Sequence, residues 1–166
     1  MSGLAIALLT VSDTRTAEND RSGDWLAAAS ERAGHHLAAR TLVVDNRYRI
    51  RATVAQWIAD EAIQVVLITG GTGFRPRDVT PEAVTPLLDQ SIPGFGELFR
   101  QISYQEIGSS TIQSRALAGV ANNTLVFCLP GSTNACSTAW NGILREQLNR
   151  DHKPCNFADL LSPKHD

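Results

Sequence analysis

Apolar residues gather into four short runs along this chain: Leu4–Val11, Leu37–Val44, Gln64–Thr69 and Thr124–Leu129. Three of the four are nearly continuous, the pattern of strands covered on both faces. Between the runs the apolar period changes. After a Ser22-Gly23 entry, Trp25, Leu26, Ala29 and Ala33 recur at helical spacing, and Ile50, Val54, Trp57 and Ile58 fall at i, i+4, i+7 and i+8. Thr80 followed by Pro81 predicts a capped helix start, with Val84, Leu87 and Leu88 on the apolar face. Phe95, Leu98, Phe99 and Ile102 repeat the helical pattern after Pro93-Gly94, with more bulky apolar surface than one small sheet needs, so part of that helix is expected to be buried between subunits. Ile112, Ala116, Leu117 and Val120 repeat it more weakly, and Cys136, Ala139, Trp140, Ile143 and Leu144 mark a last long helix. Strands alternating with helices predict an α/β three-layer sandwich, a mostly parallel sheet covered by helices on both faces. The pattern predicts one domain over 1–150. The tail over 151–166 carries Pro154 and Pro163 and is expected to be irregular, draped over the domain or a neighbour.

Composition narrows the function classes. A chain of 166 residues is long enough for one real core. Its net charge of -2 offers nothing to nucleic acid or to an anionic membrane surface. No apolar run is long enough to span a bilayer. Leu4–Leu9 is short, lacks a basic leader and runs into polar residues, so it does not read as a signal peptide. The cytoplasm is the expected compartment. Cys128, Cys136 and Cys155 are odd in number and form no CxxC, which points to neither a disulfide framework nor a zinc site.

The chemistry concentrates in Leu67–Ala83, which reads LITGGTGFRPRDVTPEA. A buried strand breaks at Gly70, Gly71, Thr72 and Gly73, passes two arginines and Asp78, and ends at a helix start. Glycines there permit positive φ and bring bare N–H groups close to a ligand. In open parallel sheets, ligands bind beyond the carboxyl ends of the strands. Those exits carry Ser12, Asp13 and Arg15; Asp45, Asn46 and Arg47; the GGTG loop; and Pro130, Gly131 and Ser132. Together they make a pocket of backbone donors, hydroxyls and carboxylates. The bland readings are a tight turn, helix caps and ordinary polar loops. There is no GxxxxGK[ST] and no GxGxxG after the first strand. Phosphates must therefore be held by backbone N–H groups, Ser12, Thr72, Ser132 and arginines. Asp45 and Asp78 suit hydrated Mg²⁺, which takes one or two carboxylates plus substrate phosphates. Other candidates weigh less: His35 and His36 at a helix-to-strand turn, and Glu106, Ser114 and Arg115, where helix-surface pairing is the commoner outcome. Trp25, Trp57 and Trp140 sit on apolar helix faces and read as core.

Taken together, TVSD, DRSG, ITGGTG with DVTPEA, PGFGE, a later Ser-Arg pair and LPGS resemble the molybdopterin adenylyltransferases of the MogA/MoaB type. The likeness runs from about Leu4 to Leu148, and NRYRIRATVAQWI and QSRALAGVAN lie closer to the MoaB branch. The resemblance implies an α/β sandwich in a symmetric trimer or hexamer. It implies an enzyme that joins the phosphate of molybdopterin to AMP from MgATP and releases pyrophosphate, with no tightly bound prosthetic group. A metal-inserting enzyme would be a transient partner. The family's functional carboxylates fall on Asp45 and Asp78, and its pterin and nucleotide loops on Ser12, Asp13, Gly70–Gly73, Thr80 and Pro130–Ser132. A second reading is a carrier that holds molybdopterin without turnover, or an oligomeric scaffold. Molybdopterin-dependent pyrophosphate release separates these from the enzyme.

Overall fold

The computed structural model describes residues 3–161; the last five positions of the expected tail lie outside the described residues. Six strands form one sheet: β1 (Ala5–Val11), β2 (His36–Val43), β3 (Val65–Thr69), β4 (Gln90–Ser91), β5 (Leu117–Ala121) and β6 (Thr124–Leu129), in the order β2-β1-β3-β6-β5-β4. The first four in that order run parallel, and β5 and β4 complete the sheet antiparallel. The helices are α1 (Arg21–Arg32), α2 (Arg47–Ala59), α3 (Thr80–Val84), α4 (Pro93–Ile107) and α5 (Thr133–Ala139). The last continues through a π-helical turn, Trp140–Leu144, into Arg145–Gln147.

Side chains alternate across a strand, and this explains the continuous apolar runs. Ile6 and Leu8 of β1, Leu67 of β3 and Phe127 of β6 point into a core shared with Leu26 of α1, Phe95 and Phe99 of α4, and Trp140 and Leu144 beyond α5. Their sequence neighbours Ala7, Leu9, Ile68 and Cys128 point the other way, onto Ile50, Val54 and Trp57 of α2 and Val84 of α3. Each fully buried Leu or Ile contributes about 1.5–3 kcal/mol to the fold. Trp57 is buried in the core under α2 and Trp140 in the core on the other face of the sheet, against which half-buried Trp25 packs.

The structure corrects the sequence reading in three places. Ile112, Ala116, Leu117 and Val120 do not form a helix; a 3₁₀ turn over Gly108–Gln113 leads into β5, which pairs with β6. The hairpin turns on Asn122 and Asn123, both with positive φ, a backbone state that Asn tolerates better than most residues. Thr80 does not cap α3. Val79 occupies the cap position, and the Thr80 hydroxyl instead donates to the Gly70 carbonyl at 2.8 Å. Leu87 falls in a 3₁₀ turn rather than on α3, which stops at Val84. The described part of the tail lies against the domain: Ala158 and Leu161 are buried in its core, Phe157 packs against it, and the Phe157 and Phe127 rings are 6.5 Å apart.

Candidate functional site

All four parallel strands deliver their carboxyl ends to one edge, where a cleft of about 840 Å³ opens. Its walls include Ser12 and Asp13 after β1, Asp45 after β2, Gly70–Gly73 and Asp78 after β3, and Pro130–Ser132 after β6. Nearly every residue singled out in the sequence therefore meets in one place. Phe99, Ser103 and Ile107 of α4, with Gln113 and Ser114 after it, close the far side. Of these, sequence reading named Ser114 alone, as a lesser candidate; the spacing of Phe99, Ser103 and Ile107 along a helix carries only a packing signal.

The glycine loop is shaped by its neighbours. Gly70 and Gly71 have φ of 106° and 70°. A Cβ at Gly70 would stand 2.2 Å from the Val11 carbonyl oxygen, and one at Gly71 would stand 2.3 Å from Thr80 Oγ1. Only glycine fits both the dihedral and the space. Thr80 is buried beneath this loop, pinning it through Oγ1 and through its N–H to the Gly71 carbonyl at 3.0 Å. It shapes the cleft without lining it.

Arg115 holds the loop's other half. Its N–H donates to the Thr72 carbonyl, its Nε to the Gly73 carbonyl and its Nη2 to the Asp78 carbonyl, each at 2.9 Å. Its Nη1 pairs with Glu82, and its guanidinium lies over the exposed Phe74 ring. The sequence grouping of Glu106, Ser114 and Arg115 is not a cluster: Glu106 accepts from Thr138 and Asn134 on α5, and Ser114 lines the cleft. A fork of five donors that spans two backbone carbonyls is an arginine property, but only the fold could reveal which carbonyls it meets.

The loop after β6 is built by hydroxyls. Thr69 Oγ1 donates to the Pro130 carbonyl at 2.8 Å and Ser22 Oγ to the Gly131 carbonyl at 2.7 Å. Ser132 caps α5 by accepting from the Ala135 N–H. Ser12 Oγ likewise accepts from the Thr14 and Arg15 N–H groups. Cys136 packs behind Pro130, within 3.2 Å of Thr69 Oγ1, and burial pushes its thiol up to about 11. It stays protonated and inert at neutral pH.

Three carboxylates share the cleft. Asp13 accepts from Arg77 Nε and Nη2 and from the Asp45 N–H at 3.0 Å. Arg77 holds the Asp13 carboxyl below its ordinary range. Asp78 accepts from the Arg75 N–H at 2.9 Å. Half-buried Asp45 has the opposite problem: burial first, then the charges of Asp13 and Asp78, raise its pKa. A cation between Asp45 and Asp78 would relieve that repulsion. Among the described residues no three His, Cys, Asp or Glu side chains form a ready metal cage. Two oxygen-bearing side chains at an open cleft suit Mg²⁺ that keeps waters and substrate phosphates as its other ligands. His35 and His36 lie at the opposite end of the sheet, where His35 Nδ1 accepts from the Leu4 N–H.

The family model for a probable molybdopterin binding domain matches residues 7–150, almost the whole fold and all four loops of the cleft. The chain belongs to that family. Molybdenum cofactor biosynthesis protein B of Escherichia coli strain K12 is 55% identical over 156 residues, covering 94% of this chain and 92% of that protein. A crystal structure of a molybdenum cofactor biosynthesis protein B superposes with a TM-score of 0.86 at 44% identity, covering 89% of this chain and 92% of the other. The tungsten cofactor synthesizing protein MoaB from Pyrococcus furiosus superposes with a TM-score of 0.77 at 34% identity, over 87% and 92% of the two chains. A role in molybdenum cofactor biosynthesis follows from this kinship, and the sheet with helices on both faces is the MoaB/MogA architecture. No helix among the described residues is long and apolar enough to cross a membrane.

Proposed function

We propose that this chain is a molybdopterin adenylyltransferase that uses MgATP. The observation that carries this reading is the pairing, in one cleft, of a glycine-rich loop with Asp45 and Asp78, the first held at a raised pKa by burial and by its acidic neighbours. The glycine loop and the arginines of the cleft suit phosphate groups. In the reaction, a phosphate oxygen of molybdopterin attacks the α-phosphorus of ATP, the bond to the bridging oxygen breaks, and pyrophosphate leaves. Such a transfer needs alignment and charge neutralisation rather than a covalent partner. Asp45 and Asp78 are the residues to hold Mg²⁺, which would neutralise charge on the reacting phosphates. The chain's own groups orient the two substrates: Ser12, Ser132 and the loop N–H groups at the phosphates, with Phe99 and Ile107 on the apolar wall. The adenylated pterin would then pass to a metal-inserting enzyme.

The test is a pyrophosphate assay on the purified chain with molybdopterin and MgATP. Release that requires all three components is expected. Tight molybdopterin binding with no pyrophosphate would make the chain a carrier instead.

A further inference from the structure

Arg77 and Asp13 are 64 residues apart in the chain and meet across the cleft. Both Nε and Nη2 of Arg77 bond to the Asp13 carboxylate, the latter at 2.8 Å. Arg15, also on the cleft wall, is committed elsewhere: it donates to Ser22 Oγ at 3.0 Å and lies 3.9 Å from Asp20 in the α1 cap. The Arg77 side chain is 66% exposed, and Asp13 is its one side-chain hydrogen-bond partner among the described residues. Asp13 has a second task, since its Oδ1 accepts from the Asp45 N–H. The pair thus joins the loop after β3 to the loop after β1, directly beside the half-buried Asp45.

A guanidinium fork matches a phosphate as well as it matches a carboxylate. An exposed ion pair contributes little and exchanges readily. We infer that Arg77–Asp13 is an exchange latch: Asp13 holds Arg77 in the ligand-free protein, and the polyphosphate of the nucleotide takes Arg77 over. The choice of polyphosphate rests on the adenylyltransferase reading above. Asp13, once released, stays beside Asp45 with its charge unneutralised and strengthens the field that draws a divalent cation. Anion capture and cation capture are thereby coupled through one arginine. Arg77 is the anion-binding arm, and Asp13 is a positioning residue that acts through it.

A double-mutant cycle with inorganic tripolyphosphate tests this, by calorimetry on the whole protein in metal-free buffer at low ionic strength. Asp13→Asn keeps an acceptor for the Asp45 N–H but gives up the charge that holds Arg77. It should tighten tripolyphosphate binding measurably, on the order of two- to fivefold for the loss of one exposed competing pair. Arg77→Ala should weaken binding by about tenfold, and Arg77→Lys by less, because it keeps the charge and loses the fork. In the Arg77→Ala background, Asp13→Asn should have almost no effect. Equal tightening in both backgrounds would mean that Asp13 only repels the anion through space, and it overturns the latch. Absence of tripolyphosphate binding to the wild-type protein also overturns it. The measurement needs no turnover, so it fails separately from the enzymatic reading. Pyrophosphate release without coupling in the cycle removes the latch alone. Coupling without pyrophosphate release keeps the latch and removes the enzyme.

Discussion

At the scale of single residues, the cleft trades stability for function at Asp45. Its pKa in the folded protein is raised by burial and by Asp13 and Asp78. For a carboxyl shifted this way, the folded state holds the proton more tightly than the unfolded chain does. The contribution is therefore most favourable below the ordinary Asp value of about 3.9 and is lost as pH rises through the folded pKa. At neutral pH, ionised Asp45 costs the ligand-free protein stability. Asp45→Asn should raise the melting temperature at pH 7 in the absence of Mg²⁺, leave it nearly unchanged at pH 3.5, and depress the proposed adenylation. Thermal unfolding at the two pH values checks this; an equal shift at both would remove the electrostatic account. The two glycines make a matched pair. Gly71 has positive φ, and a Cβ there would meet Thr80 Oγ1, so Gly71→Ala should cost the fold about 1–2 kcal/mol or more. Gly73 is not in that backbone region, and its Cβ would stand 2.6 Å from Asp78 Oδ2, the end of a side chain that can shift at the expense of its bond from the Arg75 N–H. Gly73→Ala should leave the melting temperature within a few degrees of wild type and weaken nucleotide binding at least about tenfold, or 1.4 kcal/mol. Unchanged affinity in Gly73→Ala, measured by titration with MgATP, would mean that the loop serves the turn alone.

At the scale of elements, what could be read in the sequence follows from how local its cause is. Strands β1, β3 and β6 are buried on both faces, so their apolar runs declare them directly, and α2 and α4 declare themselves by period. Strand β5 was legible only as a weak helix because Ala116, Leu117 and Val120 fit both spacings, and small residues do not choose between them. Its real determinant is pairing with β6 and packing under α4, which are properties of the assembled sheet. Strand β4, with two residues, is too short to carry any pattern. The cleft was legible where loop residues sit next to strand ends. Its α4 wall and the Arg115 clamp were not, since both come from segments distant in the chain. The clamp yields its own prediction. Arg115 holds the carbonyls of Gly73 and Asp78 together with one side chain. Lysine keeps the charge but cannot bridge both acceptors. Arg115→Lys should therefore speed amide hydrogen exchange over residues 71–78 while the strands keep their protection. Wild-type exchange in that loop would show that the backbone bond from Arg115 to Thr72 suffices.

At the scale of the whole molecule, α4 decides what the chain does with its remaining apolar surface. The sequence reading expects Phe95, Leu98, Phe99 and Ile102 to be partly buried between subunits. Phe95 and Phe99 prove to be buried in the chain's own core, and Ile102 is half-buried against it. Leu98 remains exposed, and it is joined by Tyr104, Ile107 and Ile112 along α4 and the turn that follows. Tyr104 and Ile107, an i and i+3 pair on one face of α4, with Ile112 in the turn beyond it, leave bulky apolar surface that the chain itself does not cover. A closed oligomer of the kind the sequence resemblance implies would cover this surface on every copy. Because Ile107 and Gln113 also line the cleft, such an interface would border each copy's cleft and hold its α4 wall in place. Sedimentation velocity at micromolar concentration should show a closed oligomer with no monomer. Tyr104→Lys combined with Ile112→Lys puts two charges into the patch while touching neither the core nor the cleft lining, so it should yield a folded smaller species. A wild-type monomer at that concentration would leave the patch without a partner of its own kind. An oligomer that survives the double substitution would place the interface on another face.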